Sequence, residues 1–226
     1  MNNTMILINA TYGLTNDHPS HLMTSQLNYE PVSLDGKVMK ILLAIIDELG
    51  MQDELAFVSG YRSIQSQIDT WDYCLTHHGL DYTKRYVAKP GHSEHHSALA
   101  IDIGSNIDPI DYIAPILVDN EKTKRFKQAL YDHGFILRYP ANKTMITGID
   151  HEPWHFRYIG TPHSRYVMDH DLCYEEYIDQ LKHTDKDHPL LIDDSTIAYG
   201  LTTLNGVDDP TISYIHEGFY VVTRNF

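Results

Sequence analysis

The tightest constraint on this chain comes from two short runs, far apart in sequence, that bunch imidazoles with carboxylates. They are Ser93-Glu94-His95-His96-Ser97-Ala98-Leu99-Ala100-Ile101-Asp102 and Asp150-His151-Glu152-Pro153-Trp154-His155-Phe156-Arg157. Histidine is over-used in the chain, 15 of 226 residues, and these runs with His92 hold five of them. Imidazole is the commonest metal ligand and the natural proton carrier near neutral pH, so the runs point to a fold that joins them at one site.

The first run reads as polar residues leading into a buried strand, Ala98 to Ile103. Alternation then puts Leu99, Ile101 and Ile103 on one face and Ala98, Ala100 and Asp102 on the other. One face is core. The other carries small residues and one carboxylate, which lets a metal and a substrate approach the sheet closely. The second run contains the letters HExxH, but a zinc-binding helix is excluded there. Pro153 disfavours helical geometry at Glu152 and removes a backbone donor, and the Trp-His-Phe-Arg-Tyr-Ile that follows is β-prone. A strand from Trp154 to Ile159 is expected instead, with Glu152 at its entrance.

Catalytic zinc sites commonly take three protein ligands, often two histidines and a carboxylate, and leave a fourth position open. His95, Asp102 and His155 supply that set. Glu152, three residues before a ligand, is placed to act as general base. Taken singly, His95 reads as a capping histidine; the joint pattern carries the argument. His92, His96 and His151 are expected to support the site or lie on the surface.

The rest of the chain reads as α+β. Strands are expected at Met5–Ile8, Leu55–Ser59 and Phe135–Arg138. Between the first two lie a turn-rich stretch through Ser33 and an amphipathic helix from Leu34 to Leu49, stopped by Gly50. Further helices are expected from Ser63 to about Leu75, from Glu121 to His133, from Pro162 to Met168 and from Tyr174 to Leu181. Arg62 thus stands at a strand-to-helix junction. The tail, Thr196 to Thr223, reads as short strands split by turns at Asn205-Gly206, Asp208-Asp209-Pro210 and Glu217-Gly218. No repeat or linker divides the chain, so residues 1–226 are expected to form one domain, with 186–226 as its β-rich extension. Seventeen Lys and Arg against 31 Asp and Glu, a net charge of -14, argue against nucleic acid or an anionic membrane as partner. Two cysteines without metal-knuckle spacing, no apolar run of membrane-spanning length and no basic leader at the start lead to the expectation of a cytoplasmic protein without a membrane span.

These residues resemble peptidase family M15, the zinc D,D-peptidases, in its VanY and VanXY branch. The family pattern SxHxxGxAxD followed by ExWH is matched by Ser93, His95, Ala100 and Asp102 and then by Glu152, Trp154 and His155. Ala98 departs from it, standing where the family carries glycine. Tyr86 to His95 and Val58-Ser59-Gly60-Tyr61-Arg62-Ser63 are also family-like, and the likeness runs from Ile6-Leu7-Ile8-Asn9 to Glu217–Thr223. The resemblance implies a small antiparallel sheet flanked by helices, the hedgehog/DD-peptidase-like fold, and one zinc ion. It further implies hydrolysis of the bond before a C-terminal D-Ala in cell-wall precursors, the D-Ala-D-Ala dipeptide or the pentapeptide, in support of vancomycin resistance. By the same resemblance Arg62 faces the substrate carbonyl, Ser93 and Trp154 shape the pocket, and Tyr61 and Gln67 are further substrate contacts. An L,D-carboxypeptidase or an L-Ala-D-Glu endopeptidase shares the zinc motifs. A non-hydrolytic metal-binding module is disfavoured by the presence of Glu152 and Arg62.

Overall fold

The computed structural model describes residues 3–14, 19, 21–204, 211–216 and 218–225. The stretch expected to be turns up to Ser33 contains a small hairpin, β1 (Leu22–Ser25) and β2 (Val32–Asp35), paired antiparallel. Its strands are four residues each, too short for alternation to stand out, although Val32 and Leu34 point inward and are buried. Leu34 therefore belongs to β2 and not to the helix that follows. Asp35 caps that helix, its carboxylate accepting from the N–H groups of Lys37 and Val38, and α1 runs Gly36–Leu49. Gly50 ends it in the left-handed conformation. The buried face of α1, Val38, Met39, Leu42, Ile45 and Ile46, is worth about 1.5–3 kcal/mol per side chain taken from water.

Strand β3 (Leu55–Ser59) leads through Gly60 to α2 (Ile64–Tyr86), capped by Ser63. A Cβ on Gly60 would meet Ser33 O at 2.5 Å, so the close pass of β2 is what demands glycine there. α2 continues well beyond Leu75 and breaks at Gly79, whose φ of 82° and ψ of 170° divide it into two helical pieces. A 3-10 turn, Glu94–Ser97, precedes β4 (Ala100–Ser105). Ala98, expected to open that strand, stands outside it at φ 59°. Next come α3 (Glu121–Asp132), β5 (Phe135–Leu137), the single turn α4 (Thr144–Thr147), β6 (His155–Tyr158), α5 (His163–Asp169) and α6 (Tyr174–Lys182). The tail forms β7 (Leu190–Asp193), β8 (Thr196–Leu201), β9 (Ile212–His216) and β10 (Phe219–Asn225). The expected turns at 205–206 and 208–210, and Glu217, lie outside the described residues.

The two four-stranded sheets are antiparallel, in the orders β3-β4-β6-β5 and β7-β8-β10-β9. With helices against them they make the α+β architecture expected. The first sheet has two chemically different faces. Ile101, Ile103, Phe135, Phe156 and Tyr158 join the core under α1 and α3. On the other face the register sets Asp102 opposite His155 and Ala100 opposite Arg157. Among the described residues no helix is long and apolar enough to cross a membrane.

Met5–Ile8 is buried but forms no strand. Leu7 N–H donates to Ile215 O at 2.8 Å, and Met5 and Leu7 pack in one cluster with Tyr174, Tyr177 and Leu181 of α6 and with Ala198, Ile215, Phe219 and Val221 of the second sheet. At the seam between α5, α6 and β10 sits buried His163. Its Nδ1 pairs with the Tyr177 hydroxyl at 2.5 Å and its Nε2 with Thr223 Oγ1 at 3.0 Å. Burial pushes this imidazole down from 6.5 to about 4.

Two outcomes follow for stability. An alanine in the left-handed region is strained where glycine is not, so Ala98→Gly should raise stability by about 1 kcal/mol in urea unfolding; an unchanged or lowered midpoint would contradict this. His163 is neutral in the fold, while the unfolded chain protonates it below pH 6.5. Stability should therefore fall as pH drops from about 6.5 to about 4, at up to about 1.4 kcal/mol per pH unit, the value of one proton. Replacing it as His163→Gln should flatten that part of the pH profile, and a profile as steep as wild type would remove His163 as the cause.

Candidate active site

Antiparallel pairing brings the two polar runs together. Asp102 on β4 lies directly across from His155 on β6 and, on its other side, pairs with Ser59 of β3. His95 reaches it from the 3-10 turn. Among the described residues, His95, Asp102 and His155 form the group whose ligand atoms all lie within 4.8 Å of one another, and all three are buried. His95 Nε2 is 3.2 Å from Asp102 Oδ2, and His155 Nδ1 is 2.9 Å from Asp102 Oδ1. Ligands about 2.0–2.1 Å from a tetrahedral zinc stand about 3.3 Å apart, and a set whose ligand atoms all lie within 4.8 Å of one another is close enough to gather around such an ion. Asp102 Oδ1 receives no aligned hydrogen bond despite its short contact with His155. A cation among these lone pairs would satisfy it, so the donor set fits the metal that the chemistry calls for.

The two histidines present opposite nitrogens. His95 Nδ1 pairs with Gly60 O at 2.6 Å, which turns its Nε2 toward Asp102. His155 turns its Nδ1 toward Asp102, while its Nε2 lies 3.6 Å from Glu94 Oε2. The electrostatics follow from burial and from Asp102. Burial pushes His95 down, partly opposed by the Asp102 charge. Burial pushes His155 down too, but Asp102, Glu94 and Glu152 outweigh it and raise it to about 10. The Asp102 carboxyl is held well below its usual range by the two imidazoles, against its desolvation.

Glu152 is buried at the entrance to β6, its N–H donating to Tyr139 O at 3.1 Å and its Oε2 3.6 Å from His155 Nδ1. Burial, helped by the Asp102 charge, raises its carboxyl to about 8. The second run is no helix: His155 lies on β6, and exposed His151 pairs through Nδ1 with Tyr139 O.

The cleft over this group is lined by Arg62, Gln67, Ser93, Trp154, Tyr112 and Tyr139, among others. Arg62 is buried, with Nη1 donating to Gln67 Oε1 at 2.9 Å and Nη2 to Ser59 Oγ at 2.7 Å. Its Nε has no hydrogen-bond partner, and its guanidinium carbon stands 5.6 Å from the Tyr112 ring centroid. Gln67 is not a solvated helix residue: its amide nitrogen donates to Ala88 O at 2.7 Å, so both ends of the side chain are engaged inside the protein. Tyr61 is not on the cleft wall, and its N–H donates to Ser33 O. His96 is buried as a brace, with Nδ1 pairing with Arg62 O and Nε2 accepting from Gly91 N–H. His92 pairs with Asn9 O.

Three buried charges went unread in the sequence. Glu94 Oε1 accepts from Arg138 Nε and Arg157 Nη1, each at 2.8 Å. Arg138 also forks onto Glu175 of α6, and Arg157 Nη2 donates to the carbonyls of Thr4 and Ile6. Burial raises the Glu94 carboxyl, but the two guanidiniums overrule it and hold the group far below its usual range. A signal existed for one of them, because Arg157 is two residues after His155 and so shares its strand face.

Comparison with known proteins agrees with this geometry. The family model for VanY, D-alanyl-D-alanine carboxypeptidase, matches residues 34–161. The bifunctional D-Ala-D-Ala dipeptidase and carboxypeptidase VanXYC of Enterococcus gallinarum is 41% identical over 80% of this chain and 97% of its own. The crystal structure of the vancomycin-resistance D,D-dipeptidase VanXYg, bound to a D-Ala-D-Ala phosphinate analogue, superposes with a TM-score of 0.91 at 31% identity, covering 99% of this chain and 94% of that one. The D,D-pentapeptidase VanY from a VanB-type cassette, solved with Zn(II), matches with a TM-score of 0.64 at 29% identity, over 77% and 98% of the two chains. The match along more than half of the sequence, on the fold that carries the His95, Asp102 and His155 group, makes this chain a member of the VanY family of peptidase family M15.

Proposed function

We propose that this protein is a zinc D,D-peptidase that cleaves the bond before a C-terminal D-Ala, in D-Ala-D-Ala dipeptide and in the precursor pentapeptide, and so supports vancomycin resistance. The observation that carries the reading is the buried His95, Asp102 and His155 group with Glu152 beside it, in a cleft that also holds Arg62. The likeness to VanXYC and VanXYg supports D,D over L,D specificity, and on this reading the enzyme acts on soluble precursors in the cytoplasm. The β-rich tail belongs to the same domain, since its sheet shares a core with α6 and the N-terminal segment.

His95 Nε2, an Asp102 carboxylate oxygen and His155 Nδ1 would hold one zinc ion. Bound there, zinc supplies Lewis acidity toward water and toward the carbonyl of the scissile bond. Glu152 takes the proton of the attacking water on a carboxylate oxygen and passes it to the leaving amine nitrogen. Its burial raises the carboxyl, which makes the ionised group a stronger base. Arg62 is always charged, and Gln67 and Ser59 fix its orientation before substrate arrives. It stabilises the negative charge that grows on the carbonyl oxygen. Ser93 and Trp154 shape the pocket. Gln67 acts by holding Arg62.

Assay of the zinc-loaded protein against free dipeptide and pentapeptide should release D-Ala from both. Cleavage confined to tetrapeptides with an L-centre before the D-Ala would replace this reading with the L,D one. Glu152→Gln should retain one zinc per chain by metal analysis and lose roughly two to four orders of magnitude in kcat. Zinc loss in that variant would make Glu152 a ligand. Arg62→Lys should lower kcat and kcat/KM together, by about a hundredfold, because a lysine cannot reproduce the planar fork. A rise in KM alone would assign Arg62 to the terminal carboxylate instead.

A further inference from the structure

The buried cluster beneath the site contains a loose end that its structural duty leaves unexplained. Glu94 has no exposed side-chain surface, and both of its arginine partners are drawn to one oxygen, Oε1. The other oxygen, Oε2, is buried and accepts no hydrogen bond. His155 Nε2 is likewise buried without a partner, and the two atoms stand 3.6 Å apart. A carboxylate needed only to neutralise Arg138 and Arg157 would serve them best by spreading over both of its oxygens.

The ring between Glu94 and Asp102 has a reason to be held this way. His155 faces Asp102 through Nδ1. A lone pair for a metal at Nδ1 requires the ring proton to be on Nε2, and a buried N–H there requires an acceptor. Glu94 Oε2 is the carboxylate oxygen that stands 3.6 Å from that nitrogen. We propose that Glu94 is a positioning residue for the metal site, fixing the tautomer and ring orientation of His155, and that Arg138 and Arg157 aim it by occupying Oε1. The proposal rests on the metal-site reading given above. It also accounts for two distant contributions to the site. Glu175 of α6 and the carbonyls of Thr4 and Ile6 hold the two arginines, so the N-terminal segment and α6 reach His155 through Glu94.

Glu94→Gln tests the idea sharply, since it changes almost no volume. The arginines are donors and keep the amide oxygen, so the amide NH2 replaces Oε2 in front of His155. A donor there asks Nε2 for a lone pair and drives the ring proton to Nδ1, the nitrogen the metal needs bare. Zinc affinity, measured by competition with a chromophoric chelator, should fall about 10- to 100-fold. Nitrogen-15 spectra should show a proton on His155 Nε2 in the wild type and none there in the variant. A core variant remote from this cluster, Leu42→Ala in α1, should lower the melting temperature while keeping zinc affinity near wild type. In the zinc-loaded wild type, the His155 Nε2 proton should be shifted downfield and protected from exchange, a reading that needs no variant to fold. Wild-type zinc affinity in Glu94→Gln, equal zinc loss in Leu42→Ala, or a freely exchanging Nε2 proton would each overturn the proposal. A wild-type protein that binds no zinc would instead overturn the metal-site reading on which it rests.

Discussion

One buried ionic cluster organises the molecule: Glu94 between Arg138 and Arg157, with Glu175 closing the circuit. Three of these charges are fully buried and Glu175, which balances their sign, is partly so, and such a cluster is tolerable only when nearly every donor is matched. Arg157 meets the condition by giving its remaining nitrogens to the carbonyls of Thr4, Ile6 and Tyr158, and Arg138 by forking onto Glu175. Removing one member would leave an uncompensated buried charge, a loss of about 3–5 kcal/mol. The N-terminal segment, α6, β5, β6 and the 3-10 turn are therefore tied to one another by polar geometry as well as by packing.

Chemistry sits on the polar face of the same sheet whose other face is core. That arrangement depends on register. A slip of one residue between β4 and β6 would part Asp102 from His155 and turn hydrophobic side chains into the cleft. The apolar residues Ile101, Ile103 and Phe156 packed beneath α1 and α3 prevent the slip, so the core holds Asp102 opposite His155. Rigidity of this kind suits a site in which proton transfer and charge stabilisation depend on fixed distances.

Much of this was legible in the sequence where a local rule applied. The apolar spacing from Val38 to Ile46 marks α1, Ser63 marks the start of α2, and Pro153 rules out the helix that HExxH would otherwise suggest. The misses also have local causes. The strands β1 and β2 are shorter than the window in which alternation can be read. Met5–Ile8 looks like a strand because it is apolar, yet side chains capture its carbonyls, Tyr174 that of Met5, Arg157 that of Ile6 and Arg138 that of Ile8, partners that periodicity cannot foresee. Ala98 was assigned to a strand from its apolar neighbours, whereas the chain has to turn through φ 59° there before β4 begins.

By itself the sequence determined which side chains could do chemistry, because two imidazoles, an aspartate and a glutamate at those spacings are chemically selective and independent of the fold around them. It also determined most helix limits, which caps and glycines dictate within a few residues, but not the far end of α2, which runs on to Tyr86. Only the tertiary structure decided which nitrogen each histidine presents, that Gln67 faces inward to hold Arg62, and that Glu94, Arg138 and Arg157 are buried together. These are questions of partner and dielectric. A charged side chain in a sequence carries no mark of the oppositely charged group that will make its burial possible, because that group comes from another element brought alongside by packing.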